Sequence, residues 1–185
     1  LQRNSCLVLT TGQNRKQVHA LRLNRQRAEI AVCLKREPQQ RLKNPPWQRL
    51  RADPALGKRA FEESLRWNGV VQTFFRTTTR AVQVGGHDLP EGAKVLLFYA
   101  AANRDPRHWD RGDAFDITRS ASGHFGFGYG IHQCLGQMVA RFEAEAVLDA
   151  LIALAGALRL AGPVERPLNN TLHPIGRLPI ELEAG

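Results

Sequence analysis

The sequence predicts a mixed domain of α-helix and β-strand in which helices predominate, and three observations support this class. The chain has 185 residues, which is enough to bury one hydrophobic core. Apolar residues recur at helical spacing over residues 56–67 and again over 135–151. Between these stretches lie short segments rich in Thr, Phe and Val, separated by Gly and Pro, which is typical of strands joined by tight turns.

Local signals justify each element in order. Asp53 before Pro54 predicts a helix start, with the helix running to about Trp67. After Cys134, the apolar spacing predicts a long amphipathic helix to about Ala155. The elements between and beyond are an extended stretch over 72–84, turns at Gly85-Gly86 and Pro90-Glu91-Gly92, a strand over 95–98, one helical turn over 100–103, a packed coil over 104–123 and hairpins in the tail.

The positive charge of the chain is concentrated at its beginning. Residues 1–52 contain twelve Lys or Arg and two acidic residues, whereas residues 53–185 contain fourteen and fifteen. The pI therefore does not make the whole protein a nucleic-acid binder. The composition predicts a boundary near the two prolines at 45–46: residues 1–46 form a basic, poorly ordered or foreign segment, and residues 47–185 form the domain.

Apolar runs and cysteines narrow the class of protein. No apolar run approaches the roughly 18–20 residues of a membrane helix, and the N-terminus lacks a signal-peptide pattern. We therefore expect a cytoplasmic protein that does not bind a membrane. Three cysteines without a CxxC pair predict neither a disulfide framework nor a structural zinc site.

Cys134 lies at the end of a glycine-rich loop, Phe125-Gly126-Phe127-Gly128-Tyr129-Gly130-Ile131-His132-Gln133-Cys134-Leu135-Gly136. Alternate glycines let a backbone approach a flat ligand closely, and the positive end of the following helix favours an anionic sulfur. A phosphate-binding loop is the alternative, but the G-x-G-x-x-G spacing is absent.

This loop resembles the cysteine signature of the cytochrome P450 family, and the resemblance covers about residues 47–184. It implies a partial cytochrome P450 fold and a haem cofactor, iron protoporphyrin IX, with Cys134 as the thiolate on the iron. It also implies that Phe127 shields the sulfur and that Gly128 and Gly136 belong to the cofactor site.

Glu63 and Arg66 resemble the E-x-x-R pair of the family. Their spacing puts both side chains on one helical face, where they either pair or lie on a solvated surface. In the family, an arginine from the later coil usually locks this pair. Here Ala114 occupies that place, and Arg111 and Arg119 are the candidate substitutes.

The resemblance also implies ligand contacts outside the loop. Arg76 and His132 lie where the family places partners of the haem propionates, the alternatives being a strand surface residue and a capping or core histidine. Some short stretches look similar to family members that act on small aromatic acids. The segment that matches the substrate pocket contains Val70, Val71, Thr73 and Phe74, together with Leu172.

The implied activity is monooxygenation, the insertion of one oxygen atom of O2 into a small organic substrate. A ferredoxin-type or other redox partner would deliver electrons at the proximal face, where Arg141 and neighbouring basic residues could help dock it. The distal acid–alcohol pair of the family has no counterpart in this sequence, so we expect a truncated chain with impaired activity and leave the catalytic residues unassigned. The alternatives are a non-catalytic fragment and a basic binding protein that uses residues 1–52.

Overall fold

The computed structural model describes residues 8–11 and 45–184, and these divide into two compact units. The first contains residues 8–11 and Phe75–Leu97, and the second contains residues 45–74 and 98–184. Residues 1–7 and 12–44 lie outside the described residues. The sequence-based boundary at residue 46 and the predicted poor order before it therefore stay predictions.

Four α-helices and seven β-strands make up the described chain, in the mixed class that the sequence predicts. The helices are α1 (Pro45–Ala52), α2 (Gly57–Asn68), α3 (Tyr99–Ala102) and α4 (Gln137–Leu154). The strands are β1 (Val8–Thr11), β2 (Thr73–Thr77), β3 (Val82–Val84), β4 (His87–Leu89), β5 (Lys94–Phe98), β6 (Ala155–Leu160) and β7 (Ile180–Ala184).

The first unit is built from strands and tight turns. A three-stranded sheet has the order β1-β5-β2, and β1 pairs antiparallel with β5, with Val8 opposite Leu97. Strands β3 and β4 form an antiparallel hairpin. The predicted turn at Gly85 and Gly86 is confirmed, because both residues have positive φ, 57° and 84°, a region that glycine occupies without steric cost.

The predicted helix start at Asp53 is confirmed in the second unit. The Asp53 side chain accepts a hydrogen bond from the Ala55 N–H at 3.2 Å, and Pro54 opens a single 3₁₀ turn that leads into α2. Helix α1 was not predicted. Pro45 lies at its first position, where the missing proline N–H would have no helical partner anyway.

The core of the second unit contains Trp47, Leu50, Ile117 and Ala155. These residues come from α1, from the coil that follows α3, and from the start of β6. Leu148, Leu151 and Ile152 of α4 pack against this core, so the C-terminal half of α4 is held by it. Strands β6 and β7 pair antiparallel and confirm the hairpin character of the tail.

Helix length also bears on membrane insertion. Within residues 45–184, none of the helices is both long enough and apolar enough to cross a bilayer.

The core makes a direct prediction about stability. Ile117 is 3% exposed, so Ile117→Ala should leave a cavity and lower the free energy of unfolding by about 2–4 kcal/mol. Leu168 is fully exposed, and Leu168→Ala should change the free energy by no more than about 0.5 kcal/mol. Urea denaturation followed by circular dichroism measures both, and equal losses would contradict the assigned core.

Candidate functional site

The glycine-rich loop presents the Cys134 side chain to the surface. The Cys134 N–H donates to the Phe127 carbonyl at 2.8 Å, which closes the loop on itself. A single 3₁₀ turn, Gly130–His132, precedes the cysteine, and α4 begins three residues after it. The Cys134 side chain is exposed, so its sulfur is accessible while its backbone is fixed.

Two glycines are required by the shape of this loop. Gly128 and Gly130 have φ of +74° and +66°, which L side chains rarely adopt. A Cβ at Gly128 would also lie 3.3 Å from the His132 carbonyl oxygen. Any side chain at position 128 would therefore strain the turn that carries Cys134.

Large apolar side chains close to Cys134 in sequence are exposed. Ile131, which follows Gly130, is 97% exposed, and Leu135, which follows Cys134, is 100% exposed. The N-terminal half of α4 adds further exposed apolar residues, so it lacks the burial that its amphipathic pattern predicts. The exposed set around the loop consists of Tyr129, Ile131, Leu135, Met138, Val139 and Phe142.

Glu63 and Arg66 form a buried ion pair and not a surface pair. Two hydrogen bonds join them, from Arg66 Nε to Glu63 Oε2 at 2.6 Å and from Arg66 Nη2 to Glu63 Oε1 at 2.8 Å. Both side chains are fully buried. Arg66 also donates to the carbonyls of Asn103, Gly112 and Ala114, at 2.7, 2.8 and 3.0 Å.

Arg119 supplies the third group of this pair. Its Nε lies 3.3 Å from Glu63 Oε1, and its remaining nitrogens donate to the carbonyls of Asp110 and Arg111. Of the two sequence candidates, Arg111 instead pairs with Asp110 and Asp116 at the surface. Ala114 still contributes through its backbone, because its carbonyl accepts from Arg66.

Asn103 connects the ion pair to the cysteine loop, and the sequence analysis missed it. The residue is 2% exposed, and its carbonyl accepts from Arg66. Its side-chain oxygen accepts from the Phe125 N–H at 2.7 Å, at the start of the loop. A buried asparagine just after one helical turn was the available signal, because a buried amide needs hydrogen-bond partners.

The sequence analysis also missed a cluster of three polar residues that contacts the cysteine loop. Glu62 accepts from Arg141 Nε at 2.5 Å, and its other oxygen is 2.8 Å from His124 Nε2. The Gly126 N–H donates to His124 Nδ1 at 2.8 Å, which assigns the ring proton to Nε2 and makes that nitrogen the donor to Glu62. The Arg141 guanidinium lies over the Phe127 ring, 4.8 Å from its centroid.

The pKa values of this group follow from its contacts. Partial burial raises the pKa of Glu62, but the hydrogen bonds from Arg141 and His124 and the charge of Arg141 outweigh it and hold the pKa below its usual value. The hydrogen bond to Glu62 raises the pKa of Arg141 despite partial burial, and the Cys134 sulfur adds a smaller contribution in the same direction.

Arg76 and His132 lie in different units and differ in exposure. Arg76 lies on β2 in the first unit, half-buried, and its Nη1 donates to the Phe75 carbonyl at 2.8 Å. His132 lies in the cysteine loop and is exposed, so it is not a core histidine. Their roles toward propionates stay predictions.

The residues that match the substrate pocket are partly brought together. Val71 and Leu172 form an antiparallel bridge, and the His173 N–H donates to the Val70 carbonyl at 2.7 Å. Thr73 and Phe74 follow at the start of β2. Val70, Phe74 and Leu172 each expose 40–47% of their surface, and their contact with a substrate stays a prediction.

Comparison with known proteins decides the family. The family model for cytochrome P450 matches residues 25–153, which is more than half of the chain. The chain belongs to the cytochrome P450 family. The match begins inside the basic segment, ahead of the point where the sequence resemblance starts.

Individual relatives agree with this assignment. The chain is 52% identical over 155 residues to cytochrome P450 CYP199A2 of Rhodopseudomonas palustris, covering 84% of this chain and 36% of that relative. It is 42% identical over 136 residues to a vitamin D3 dihydroxylase of Streptomyces griseolus, covering 71% of this chain and 33% of the relative. This chain therefore spans about a third of the length of these relatives.

Solved structures show the same fold. P450BioI, crystallised with an acyl carrier protein, superposes with a TM-score of 0.72 at 32% identity, over 84% of this chain and 39% of that one. Cytochrome P450 CREJ gives a TM-score of 0.70 at 33% identity, over 75% of this chain and 35% of that one. The predicted partial cytochrome P450 fold is confirmed.

Members of this family bind haem through a cysteine thiolate, and the residues present fit that cofactor. A Cβ at Gly130 or Gly136 would meet nothing within 4 Å, so the loop is open at the glycines before and after Cys134. The apolar side chains around Cys134 match the apolar faces of a porphyrin. Within residues 45–184, no group of three or more His, Cys, Asp or Glu is placed to hold a metal ion.

The ion pair makes a prediction about stability. Arg66→Met leaves the Glu63 carboxylate buried without its partner, so the free energy of unfolding should fall by about 3–5 kcal/mol. The matched control is Arg177→Met, which breaks an exposed pair with Glu165 and should cost no more than about 1 kcal/mol. Circular dichroism in urea measures both, and similar losses would show that Arg66 acts as a surface residue.

Proposed function

We propose that this chain provides the haem-binding part of a haem-thiolate monooxygenase, with Cys134 as the axial ligand. The observation that carries the proposal is the exposed Cys134 side chain on a backbone fixed by the Phe127 carbonyl and by two glycines of positive φ. When bound, a haem with a thiolate ligand supplies the electron density that favours O–O cleavage and the transfer of one oxygen atom to a substrate.

The residues of the loop hold and shield the sulfur. The Cys134 N–H is already bonded to Phe127, and α4 begins three residues later, so the positive end of its dipole lies within a few residues of the sulfur and favours an anionic ligand. The Phe127 ring is half-buried between Arg141 and Phe61. These contacts hold Phe127 in the loop that carries Cys134, and its role in shielding the sulfur is part of the proposal. His132 is exposed in the same loop and is the propionate partner that we favour in the second unit.

The proposed substrate is a small organic molecule, with an aromatic compound as the finer prediction. Val70, Val71, Phe74 and Leu172 are the apolar residues proposed to contact it, and the Val71–Leu172 bridge holds their two segments together. Apolar side chains with few polar partners select ligands by shape and apolar area.

The proposed redox partner is an acidic ferredoxin-type protein. A cleft of about 420 Å³ in the second unit is lined by Lys58, Arg59, Arg119 and Arg141. The side chains of Arg141 and Arg119 are only 28% and 12% exposed, so neither is the strongest docking residue. Lys58 pairs with Glu145 but its side chain is 76% exposed, Arg59 is also exposed, and we assign the docking charge to these two residues.

Family membership does not favour the alternative of a basic binding protein that uses residues 1–52. Truncation, impaired activity and a cytoplasmic location stay predictions.

The ligand assignment predicts a spectroscopic change. Cys134→Ser should abolish the thiolate-type band in the carbon-monoxide difference spectrum of the reduced, haem-loaded protein, since an alcohol does not replace a thiolate on iron. Cys6→Ser and Cys33→Ser are matched controls that should keep the band, because neither cysteine lies in the signature loop. An unchanged spectrum in Cys134→Ser would overturn the proposal.

The docking assignment predicts a kinetic change. The double variant Lys58→Glu/Arg59→Glu should associate with an acidic ferredoxin about five- to tenfold more slowly at low salt, with weaker salt dependence. Arg49→Glu on α1 is the control, because Arg49 is exposed but does not line the cleft. Stopped-flow association rates measure both, and equal slowing in the control would refute a specific docking site.

A further inference from the structure

Glu62, His124 and Arg141 form a polar cluster that contacts the cysteine loop through Gly126 and Phe127. The three residues come from α2, from the coil before the cysteine loop and from α4, so the cluster joins α2 to the two segments that flank the loop in sequence. The His124 side chain is 4% exposed, whereas Glu62 and Arg141 are 27% and 28% exposed. A cluster that is partly shielded from water acts on nearby charges more strongly than an exposed one.

Arg141 reaches the cysteine loop in two ways. Its guanidinium lies over the Phe127 ring, and the Phe127 carbonyl accepts the Cys134 N–H. A charge on the Cys134 sulfur also contributes, after the larger effect of Glu62, to the raised pKa of Arg141. Arg141 therefore provides a positive charge beside Phe127, the residue whose carbonyl fixes the Cys134 backbone.

We propose that Glu62 and Arg141 are positioning residues that set the electrostatic field at the Cys134 sulfur. Glu62 holds Arg141 in place and offsets most of its positive charge. His124 completes the cluster by donating from Nε2 to Glu62, which fixes the carboxylate while Gly126 fixes the ring. The proposal rests on the proposed haem-thiolate function.

Opposite charge changes should then have opposite effects on the one-electron reduction of a ferric to a ferrous site. Glu62→Gln leaves the Arg141 charge without its counter-ion, which favours an added electron, so the reduction potential should rise. Arg141→Gln removes the positive charge, so the potential should fall. Each single variant should change the equilibrium constant for reduction about three- to tenfold.

Two further variants separate charge from structure. The double variant Glu62→Gln/Arg141→Gln removes both charges, and its potential should lie between those of the single variants and close to that of the unchanged chain. Arg141→Lys keeps the positive charge but loses the paired hydrogen bonds, and its reduction potential should also stay close to that of the unchanged chain. If Glu62 and Arg141 had a purely structural role, the reduction potentials of all four variants would shift in one direction.

The experiment is a spectroelectrochemical titration of the haem-loaded chain and its variants, with the carbon-monoxide difference spectrum recorded for each. Glu145→Gln is the matched control: Glu145 lies on α4 and pairs with Lys58, and this variant should leave the potential unchanged. Shifts of one sign in Glu62→Gln and Arg141→Gln, no shift, or an equal shift in Glu145→Gln would overturn the inference. Absence of the thiolate-type band in the unchanged chain would instead overturn the proposed function and the inference with it.

Discussion

The buried ion pair between Glu63 and Arg66 is the interaction on which the second unit depends. Removing both charges from water is costly, and the pair is tolerated only because almost every hydrogen-bonding group finds a partner. Arg66 reaches three backbone carbonyls in addition to Glu63, and Glu63 also accepts from Arg119 and from the Asp116 N–H at 2.9 Å. An irregular coil is thereby fixed at several points without any regular secondary structure.

This constraint extends from the ion pair to the cysteine. The Asn103 carbonyl accepts from Arg66 and its side-chain oxygen accepts from the Phe125 N–H, so the start of the loop is tied to the buried charges. The Tyr99 ring stacks on Phe125 with an interplanar angle of 13° and a centroid distance of 5.9 Å, which adds an apolar contact at the same point. The loop is therefore held by polar bonds at its start and by the Phe127–Cys134 bond at its end.

The sequence was sufficient where the determining signals are local. The cysteine signature, the Asp53-Pro54 helix start and the Gly85-Gly86 turn each depend on a few adjacent residues. Burial of Glu63 and Arg66 was not predictable from their spacing, since the same spacing suits an exposed pair. The choice of Arg119 over Arg111 depends on the path of the coil, where Arg111 has a positive φ of 48°. Glu62 and Arg141 are 79 residues apart, and no local pattern connects them.

The long helix α4 shows why periodicity alone does not identify a core. Its apolar residues follow one helical pattern, yet Leu148 and Leu151 pack on the core while Val139 and Phe142 are exposed. The two halves therefore differ in what covers them, and the C-terminal half is also the more apolar. The exposed half begins beside Cys134, and a flat apolar cofactor is one group that such a surface accommodates. Hydrogen bonds and ion pairs fix the backbone of the loop, and exposed apolar side chains flank Cys134 in the sequence. The Cys134 sulfur is therefore the group best placed to bind a metal.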